Sequence, residues 1–213
     1  SFKCVIFDCD GVLVDSEPIG NQVMIDMANE LGAQIDLDYA YQNFKGNALK
    51  KCISHISELV GRDVSLNFEA EYRKRSFEKF RNEIQPVEGV LNLIKNLGIP
   101  FCVASSGPEN KIRLNLELTG LLPYFESNIF SCYAIKKWKP DPAIFLCAAQ
   151  TMGFQPSECI VIEDSLIGVE AAINGGFEVF GFAAHDYNND LQENATKKFN
   201  SMLKLPELLL YES

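Results

Sequence analysis

The 213-residue chain is short of positive charge, of cysteine pairs and of long apolar runs. Its 19 lysines and arginines stand against 29 acidic residues, and the resulting net charge of -10 disfavours general binding to nucleic acid or to anionic membranes. The seven cysteines include no CxxC motif, so neither a zinc site nor a disulfide framework is expected. No apolar run approaches the length of a membrane span, and Asp8 and Asp10 interrupt the first one too early for a secretory signal. We therefore expect a cytoplasmic protein.

The sequence does contain a regular alternation of short apolar runs and longer amphipathic ones. The short runs are nearly continuous and rich in β-branched and aromatic residues, which is typical of strands buried on both faces; they cover residues 4–7, 100–104, 159–162 and 178–182. Apolar residues at helical spacing, with glycine or turn residues at the ends, predict helices at 90–97, 111–118, 141–152 and 165–174. This alternation predicts an α/β fold with a doubly wound parallel sheet.

One stretch breaks the alternation, because no strand-like run occurs between Glu17 and Glu83. Apolar residues at helical spacing predict three helices there, near residues 19–31, 49–60 and 68–80. We therefore predict a small helical cap domain over residues 16–84, inserted into a core domain made of residues 1–15 and 85–213. The polar segment 186–194 is predicted to be a surface loop.

Polar side chains directly follow three of the predicted strands: Asp8 and Asp10 the first, Ser105, Ser106 and Gly107 the second, Glu163 and Asp164 the third. Ligands of doubly wound sheets bind beyond the carboxyl ends of the strands, so we expect these residues to share one rim. Carboxylates brought together repel one another, and a hard divalent cation with oxygen ligands relieves that repulsion. Mg²⁺ suits such a site when a phosphate completes it.

Two further features suit a phosphate at this rim. The Ser105–Gly107 segment precedes a predicted helix, where backbone N–H groups and a hydroxyl form an anion cradle. Lys139 stands just before a Pro-Asp-Pro helix start and adds a cationic point charge. Each feature alone has an ordinary explanation as a solvated turn, a helix cap or an exposed lysine face. Their order at successive strand ends favours phosphate chemistry.

The ordered motifs resemble those of the haloacid dehalogenase superfamily. They are DxDGxLxDSE from Asp8, an apolar run ending in Ser105, KPxPxxF from Lys139, and an apolar run ending in Glu163-Asp164-Ser165. The helical insert resembles the cap of the β-phosphoglucomutase-like and phosphoglycolate-phosphatase-like branch. Within that branch, "VASSGPENK", "IFSCYAIKKWKPDPAIF" and "FEVFGFAAHDYN" resemble the bacterial 6-phosphogluconate phosphatase group.

The resemblance implies a Mg²⁺-dependent phosphatase of a small phosphorylated metabolite, such as a sugar or sugar-acid phosphate. Asp8 would be the nucleophile that forms an aspartyl-phosphate, and Asp10 the general acid and then the base. The implied metal ligands are Asp8, the backbone carbonyl of Asp10, and Asp164, with Glu163 beside them. The implied phosphate-binding residues are Ser105, Ser106, Gly107 and Lys139. Asp15 fits either the family's turn or a cap of the first inserted helix.

The segment "FKGNALKK" resembles the specificity loop of the cap in this branch. Phosphoglucomutases carry an arginine three residues after the glycine, where this chain has Leu49. Lys45, Gly46 and Lys50 are candidates for binding the substrate, with the lysines meeting a second anionic group or merely lying on a solvated face. A sugar phosphomutase is the alternative in the same fold. A phosphonate hydrolase would lack Asp10, and a receiver-type signalling module, the alternative from another class, leaves the insert unexplained.

Overall fold

A single parallel β-sheet forms the centre of the computed structural model, which describes residues 1–186, 189–191 and 194–211. Its strands, within that part of the chain, are β1 Cys4–Phe7, β2 Phe101–Ser105, β3 Ile129–Ser131, β4 Cys159–Glu163, β5 Glu178–Phe182 and β6 Lys197–Phe199. They lie in the order β3-β2-β1-β4-β5-β6, and every neighbouring pair is parallel. The predicted doubly wound α/β class is confirmed. The strand order reverses beside β1, which pairs with both β2 and β4.

Helices cover both faces of the sheet. They are α1 Glu17–Glu30, α2 Leu37–Asn43, α3 Leu49–Val60, α4 Phe68–Glu83, α5 Val90–Asn96, α6 Glu109–Leu118, α7 Leu122–Phe125, α8 Cys132–Ile135, α9 Ala143–Met152, α10 Leu166–Asn174 and α11 Leu205–Tyr211. Val5 and Phe7 of β1 pack in one core cluster with α5, α6, α7 and α11, whereas Cys4 and Ile6 pack in another with α9 and α10. Two covered faces explain why β1 has no polar alternation. No described helix is both long and apolar enough to cross a bilayer.

The four predicted core strands and four predicted core helices are confirmed to within two residues at each end. Two strands, β3 and β6, escaped prediction because each has only three residues and lies at an edge of the sheet. The predicted loop 186–194 lies partly outside the described residues, and the residues of it that the structure does describe belong to no helix or strand.

Helices α1 to α4 follow β1 directly and bury a hydrophobic cluster of their own. Three of them match the predicted helices, and α2 is additional. Two adjacent connections join this helical layer to the sheet: the Asp15 N–H donates to the Gln85 carbonyl at 2.9 Å, and the Val87 N–H donates to the Leu13 carbonyl at 3.0 Å. The chain therefore leaves and rejoins the sheet layer at one paired joint, with Asp15 in it.

Candidate active site

Three carboxylates meet where β1 and β4 end side by side. The Asp8 N–H donates to the Ile162 carbonyl at 3.0 Å, which continues the pairing of the two strands by one residue. Asp8, Glu163 and Asp164 are buried, and each offers a carboxylate oxygen within 4.8 Å of the others. The structure thus brings together three of the predicted metal ligands at the strand-order reversal, the usual ligand position of such sheets.

Lys139 joins this carboxylate cluster to β2. Its ammonium donates to Asp8 Oδ1 at 3.0 Å, to Glu163 Oε2 at 2.8 Å and to the Ala104 carbonyl at 3.2 Å. The side chain is only 3% exposed. Burial by itself lowers the pKa of Lys139, but the charges of Asp8 and Glu163 outweigh it and raise the pKa above its usual value. Lys139 is therefore a permanent positive charge beside Asp8.

Glu163 has hydrogen-bond donors around both of its oxygens. While Oε2 accepts from Lys139, Oε1 accepts from the backbone N–H groups of Asp164 at 2.9 Å and Ser165 at 3.3 Å. The carboxylate consequently fixes the turn between β4 and α10, and it also orients Lys139. This places Glu163 as a support for the site as well as a member of its carboxylate cluster.

Asp164 and Glu17 present oxygen atoms that no donor in the described part of the chain satisfies. Among the described residues, Asp164 Oδ2 and Glu17 Oε2 are buried and have no hydrogen-bond partner. Burial raises the pKa of Glu17 to about 7, and burial together with the charge of Glu17 raises the pKa of Asp164 well above its usual range. Gly11 permits this approach, because its φ is +79° and a Cβ there would collide with Asp164 Oδ2.

Asp10, in contrast to Glu17 and Asp164, accepts hydrogen bonds that stabilise its charged form. Its Oδ1 accepts a hydrogen bond from Ser16 Oγ at 2.5 Å and another from Lys111 Nζ at 3.2 Å. Burial opposes ionisation, but the charge of Lys111 and the hydrogen bond from Ser16 outweigh it and lower the pKa of Asp10. In contrast, burial and the charge of Glu163 raise the pKa of Asp8 well above its usual range.

Hydrogen bonds hold the segment after β2 in a turn beside these carboxylates. The Gly107 N–H donates to the buried Ser105 Oγ at 3.1 Å, and Ser131 Oγ donates to the Gly107 carbonyl at 2.6 Å. The Trp138 indole N–H donates to the Ser106 carbonyl at 3.0 Å. These bonds hold the predicted cradle next to Lys139, and Ser106 lines the pocket itself.

The inserted helices close the other side of the pocket. Lys45 and Gly46 line it, and Lys45 Nζ donates to the His185 carbonyl at 3.2 Å. Gly46 has a φ of +77°, and a Cβ there would lie 2.8 Å from Ser165 Oγ. Lys50 is exposed and lines a separate groove along α3, so the structure does not bring this predicted residue to the site.

The lining residues that were not predicted from the sequence as site residues include Ser16, Glu17, Lys111 and, in an adjoining cavity, Arg73. A signal existed for Ser16 and Glu17, which belong to the DSE part of the first motif, and for Lys111, which ends "VASSGPENK". No sequence signal pointed to Arg73, because it is one of several basic residues along α4.

The charge of the pocket fits a divalent cation. The pocket has a volume of about 140 Å³ and contains five carboxylates and three lysines: Asp8, Asp10, Glu17, Glu163 and Asp164, with Lys45, Lys111 and Lys139. When all five carboxyl groups are ionised, the excess of two negative charges equals the charge of one Mg²⁺. The free Asp164 oxygen and the all-oxygen donor set are the chemistry that hard cations select.

Comparisons with known proteins agree on one family. Residues 2–176 match the model of the haloacid dehalogenase-like hydrolases. The 6-phosphogluconate phosphatase of Escherichia coli is 36% identical over 97% of this chain and 94% of its own. A phosphorylated carbohydrates phosphatase of Thermotoga maritima is 30% identical over 88% of each chain. A solved haloacid dehalogenase-like protein of unknown function from Agrobacterium tumefaciens superposes with a TM-score of 0.88 at 28% identity, over 100% of this chain and 99% of that one.

Proposed function

The chain belongs to the haloacid dehalogenase-like hydrolase family and is a phosphatase, and we propose that it hydrolyses a small sugar-acid phosphate such as 6-phosphogluconate with Mg²⁺ as its cofactor. The observation that carries this proposal is the buried Asp8, held by Lys139 beside an unsatisfied Asp164. Relatives named for 6-phosphogluconate and for phosphorylated carbohydrates support the substrate class. Family membership also sets aside a receiver-type module.

The first half of the proposed reaction transfers the phosphoryl group to Asp8. A carboxylate oxygen of Asp8 attacks phosphorus in line with the sugar oxygen, and the bond from phosphorus to that oxygen breaks. Asp10 gives its proton to the departing oxygen, so the products are a free hydroxyl group and an aspartyl-phosphate. Lys139 and Ser105 bind the phosphoryl oxygens and Lys139 offsets their charge, with Ser106 and Gly107 completing the cradle.

The second half releases phosphate. Asp10, now ionised, takes a proton from water, whose oxygen attacks phosphorus while the bond to the Asp8 oxygen breaks. The contacts of Asp10 with Lys111 and Ser16 favour its ionised form and suit this step. They oppose the first half, for which the negative charge of the bound phosphate would have to raise the pKa of Asp10 so that it carries a proton. Mg²⁺, held by Asp8, Asp164 and the backbone carbonyl of Asp10 with Glu163 beside it, would supply positive charge against the phosphoryl oxygens.

We assign substrate selection to residues 16–84 as a cap domain over a core of residues 1–15 and 85–213. Lys45 and Gly46 line the same pocket as the carboxylates, so they would close over a bound phosphate and exclude water. The paired joint at Asp15 and Gln85 is where such a cap would move.

A phosphate-release assay tests the proposal. The purified protein, with Mg²⁺, is given sugar-acid phosphates, hexose phosphates, phosphoglycolate and nucleotides, and we expect the highest kcat/KM for a sugar-acid phosphate. Activity should vanish in EDTA and return with excess Mg²⁺. Full activity in chelator would refute the metal assignment. Conversion of β-glucose 1-phosphate to glucose 6-phosphate, with little phosphate release, would establish the phosphomutase alternative instead.

A further inference from the structure

A second cavity of about 130 Å³ adjoins the pocket on the side of Asp10. It lies between the cap and the turn after β2, and its polar lining includes Asp10, Asn21, Asn47, Arg73, Ser106 and Lys111. Five of these residues, all but Arg73, line the main pocket as well, so the two spaces are continuous. In the proposed reaction Asp10 faces the oxygen that leaves phosphorus. The adjoining cavity is therefore where the body of the departing alcohol would lie.

The charge of this cavity is positive, in contrast to the main pocket. Its charged residues are Asp10, Arg73 and Lys111, and Lys111 pairs with Asp10. The positive charge of Arg73 is therefore not balanced by a described acidic residue of the cavity lining. The acid paired with it is Glu69, whose oxygen is 3.8 Å away and whose side chain is 51% exposed in the groove along α3. A net positive cavity beside the reactive carboxylates, in a chain with net charge -10, favours an anionic group on the substrate.

Arg73 is held in place before any substrate binds. Its Nη2 donates to the Tyr133 hydroxyl at 2.9 Å, and its guanidinium lies 5.7 Å from the ring centroid of Tyr72 and 5.9 Å from that of Tyr133. The side chain is 17% exposed. A fixed guanidinium loses little entropy on binding, and its planar set of donors matches a carboxylate with two parallel hydrogen bonds.

We propose that Arg73, assisted by Lys111, binds a carboxylate at the end of the substrate remote from the phosphate. Asn21 and Asn47 line the same cavity and offer hydrogen-bonding groups for hydroxyls between the two ends. The inference rests on the proposed phosphatase function and narrows its substrate to open-chain sugar acids. It also assigns carboxylate binding to Arg73 instead of Lys45, because Lys45 lines the main pocket near Glu17 and Asp164 and is not part of the lining of the second cavity.

The test compares two substrates that differ at one carbon. 6-Phosphogluconate carries a carboxylate where sorbitol 6-phosphate carries a hydroxymethyl group. Arg73→Gln should raise KM for 6-phosphogluconate roughly ten- to a hundredfold, as expected for a lost charge-assisted hydrogen bond. KM for sorbitol 6-phosphate should change less than about threefold, and that activity also shows that the variant is folded.

Tyr133→Phe is the matched control. It removes the hydroxyl that accepts from Arg73 but keeps the guanidinium, so it separates carboxylate binding from the contact between cap and core. The hydroxyl also donates to Glu69 Oε1 at 3.2 Å, so the variant loses two hydrogen bonds, neither of them to the substrate. We therefore expect KM changes of less than about threefold for both substrates. If KM rose equally for both substrates in Arg73→Gln, and Tyr133→Phe had the same effect, Arg73 would have only a structural role. This result would overturn the inference.

Two further outcomes would also overturn it. One is a KM that rises for 6-phosphogluconate alone in Lys45→Gln and does not rise in Arg73→Gln. This result would show that Lys45, and not Arg73, binds the carboxylate. The other is a wild-type protein that hydrolyses sorbitol 6-phosphate but not 6-phosphogluconate, which would leave the phosphatase proposal standing.

If neither compound is hydrolysed, the proposed substrate class fails, and calorimetric binding of 6-phosphogluconate to Asp8→Asn still tests Arg73. Binding unchanged by adding Arg73→Gln would then refute the carboxylate site.

Discussion

At the scale of single residues, the two aspartates of the DxD motif have different chemical environments. Asp8 lies among other carboxylates, which together with burial raise its pKa, whereas Lys111 and Ser16 lower the pKa of Asp10. In the metal-free protein these directions are the reverse of what the proposed roles need, since the nucleophile must be ionised and the general acid protonated. A cation at the free Asp164 oxygen would favour the ionised Asp8 that nucleophilic attack requires.

Asp8→Asn should abolish turnover, because an amide cannot form the acyl-phosphate. The variant should still fold, since Lys139 keeps its hydrogen bonds to Glu163 and the Ala104 carbonyl. Phosphate release at saturating substrate and thermal unfolding of the same sample measure the two effects. Turnover above the trace level in a folded variant would remove Asp8 from the nucleophile role.

Asp10→Asn should slow turnover of a sugar phosphate about 10²- to 10⁴-fold, the usual effect of a lost general acid and base. p-Nitrophenyl phosphate needs no proton on its leaving oxygen, so a rapid first release of p-nitrophenol should persist while the aspartyl-phosphate accumulates. Rapid-mixing kinetics with p-nitrophenyl phosphate would detect that burst. Ser16→Ala, which removes only one hydrogen bond to Asp10, is the control for local disturbance. An unchanged sugar phosphate rate in Asp10→Asn would assign the acid to another residue.

Sequence reasoning located the residues whose position follows from a strand end. Asp8 comes directly after β1, and Asp164 directly after β4, so sheet topology alone predicts that they meet. Glu17, Arg73 and Lys111 belong to helices, and which face of a helix points to the pocket depends on how the helices pack. The helical pattern of α4 indicates its apolar side, but its several basic residues are equivalent until the fold is known.

At the scale of elements, the inserted helical layer meets the sheet layer where the loop at Gly46 contacts the turn after β4. Gly46 lies against Ser165 with no room for a side chain, and its backbone conformation is one that glycine favours. Ser165 also begins α10, where its hydroxyl accepts from the Gly168 N–H at 3.1 Å. A change in the loop is therefore transmitted to the segment that carries Asp164.

Gly46→Ala should lower kcat/KM at least tenfold, because the added Cβ pushes the loop away from Ser165. Gly61→Ala is the matched control: Gly61 has a φ of +76°, close to that of Gly46, but no atom of the described residues lies within 4 Å of the added Cβ. Both substitutions should cost about 1 kcal/mol of unfolding free energy through backbone strain. Steady-state kinetics and denaturant unfolding of the pair separate the two effects. Equal kcat/KM values would mean that the loop contact does not matter for catalysis.

The elements that escaped prediction share a lack of local signal. Strand β3 has the sequence IFS and β6 has KKF, both too short for a recognisable run, and each is defined by pairing with one neighbour. Helix α2 spans seven residues, of which only Ala40 and Tyr41 are buried. Central strands buried on both faces carry their signal in their own residues, whereas edge strands acquire their structure from the neighbour.

At the scale of the whole molecule, the net charge is -10, and part of the negative charge lies on buried carboxyl groups. Asp8, Glu17 and Asp164 all have raised pKa values, mainly because burial disfavours their charged forms. A group whose pKa is raised by folding contributes stability below its unfolded pKa and loses that contribution as pH rises through its folded pKa. For Glu17 this interval runs from its ordinary value of 4.5 to about 7.

The metal-free protein should therefore become less stable as pH rises from about 5 to about 8, and Mg²⁺ should remove most of that loss by binding the ionised carboxylates. One pKa unit corresponds to about 1.4 kcal/mol, and 1 kcal/mol shifts Tm by roughly 2–4 °C in a chain of this size, so several degrees are expected in EDTA. Calorimetric unfolding across this pH range, with EDTA or with Mg²⁺, measures the difference. Glu17→Gln should flatten the EDTA curve, because the amide does not ionise. A Tm that is independent of pH in EDTA, and equal in Glu17→Gln, would show that folding does not raise the pKa values of these carboxyl groups.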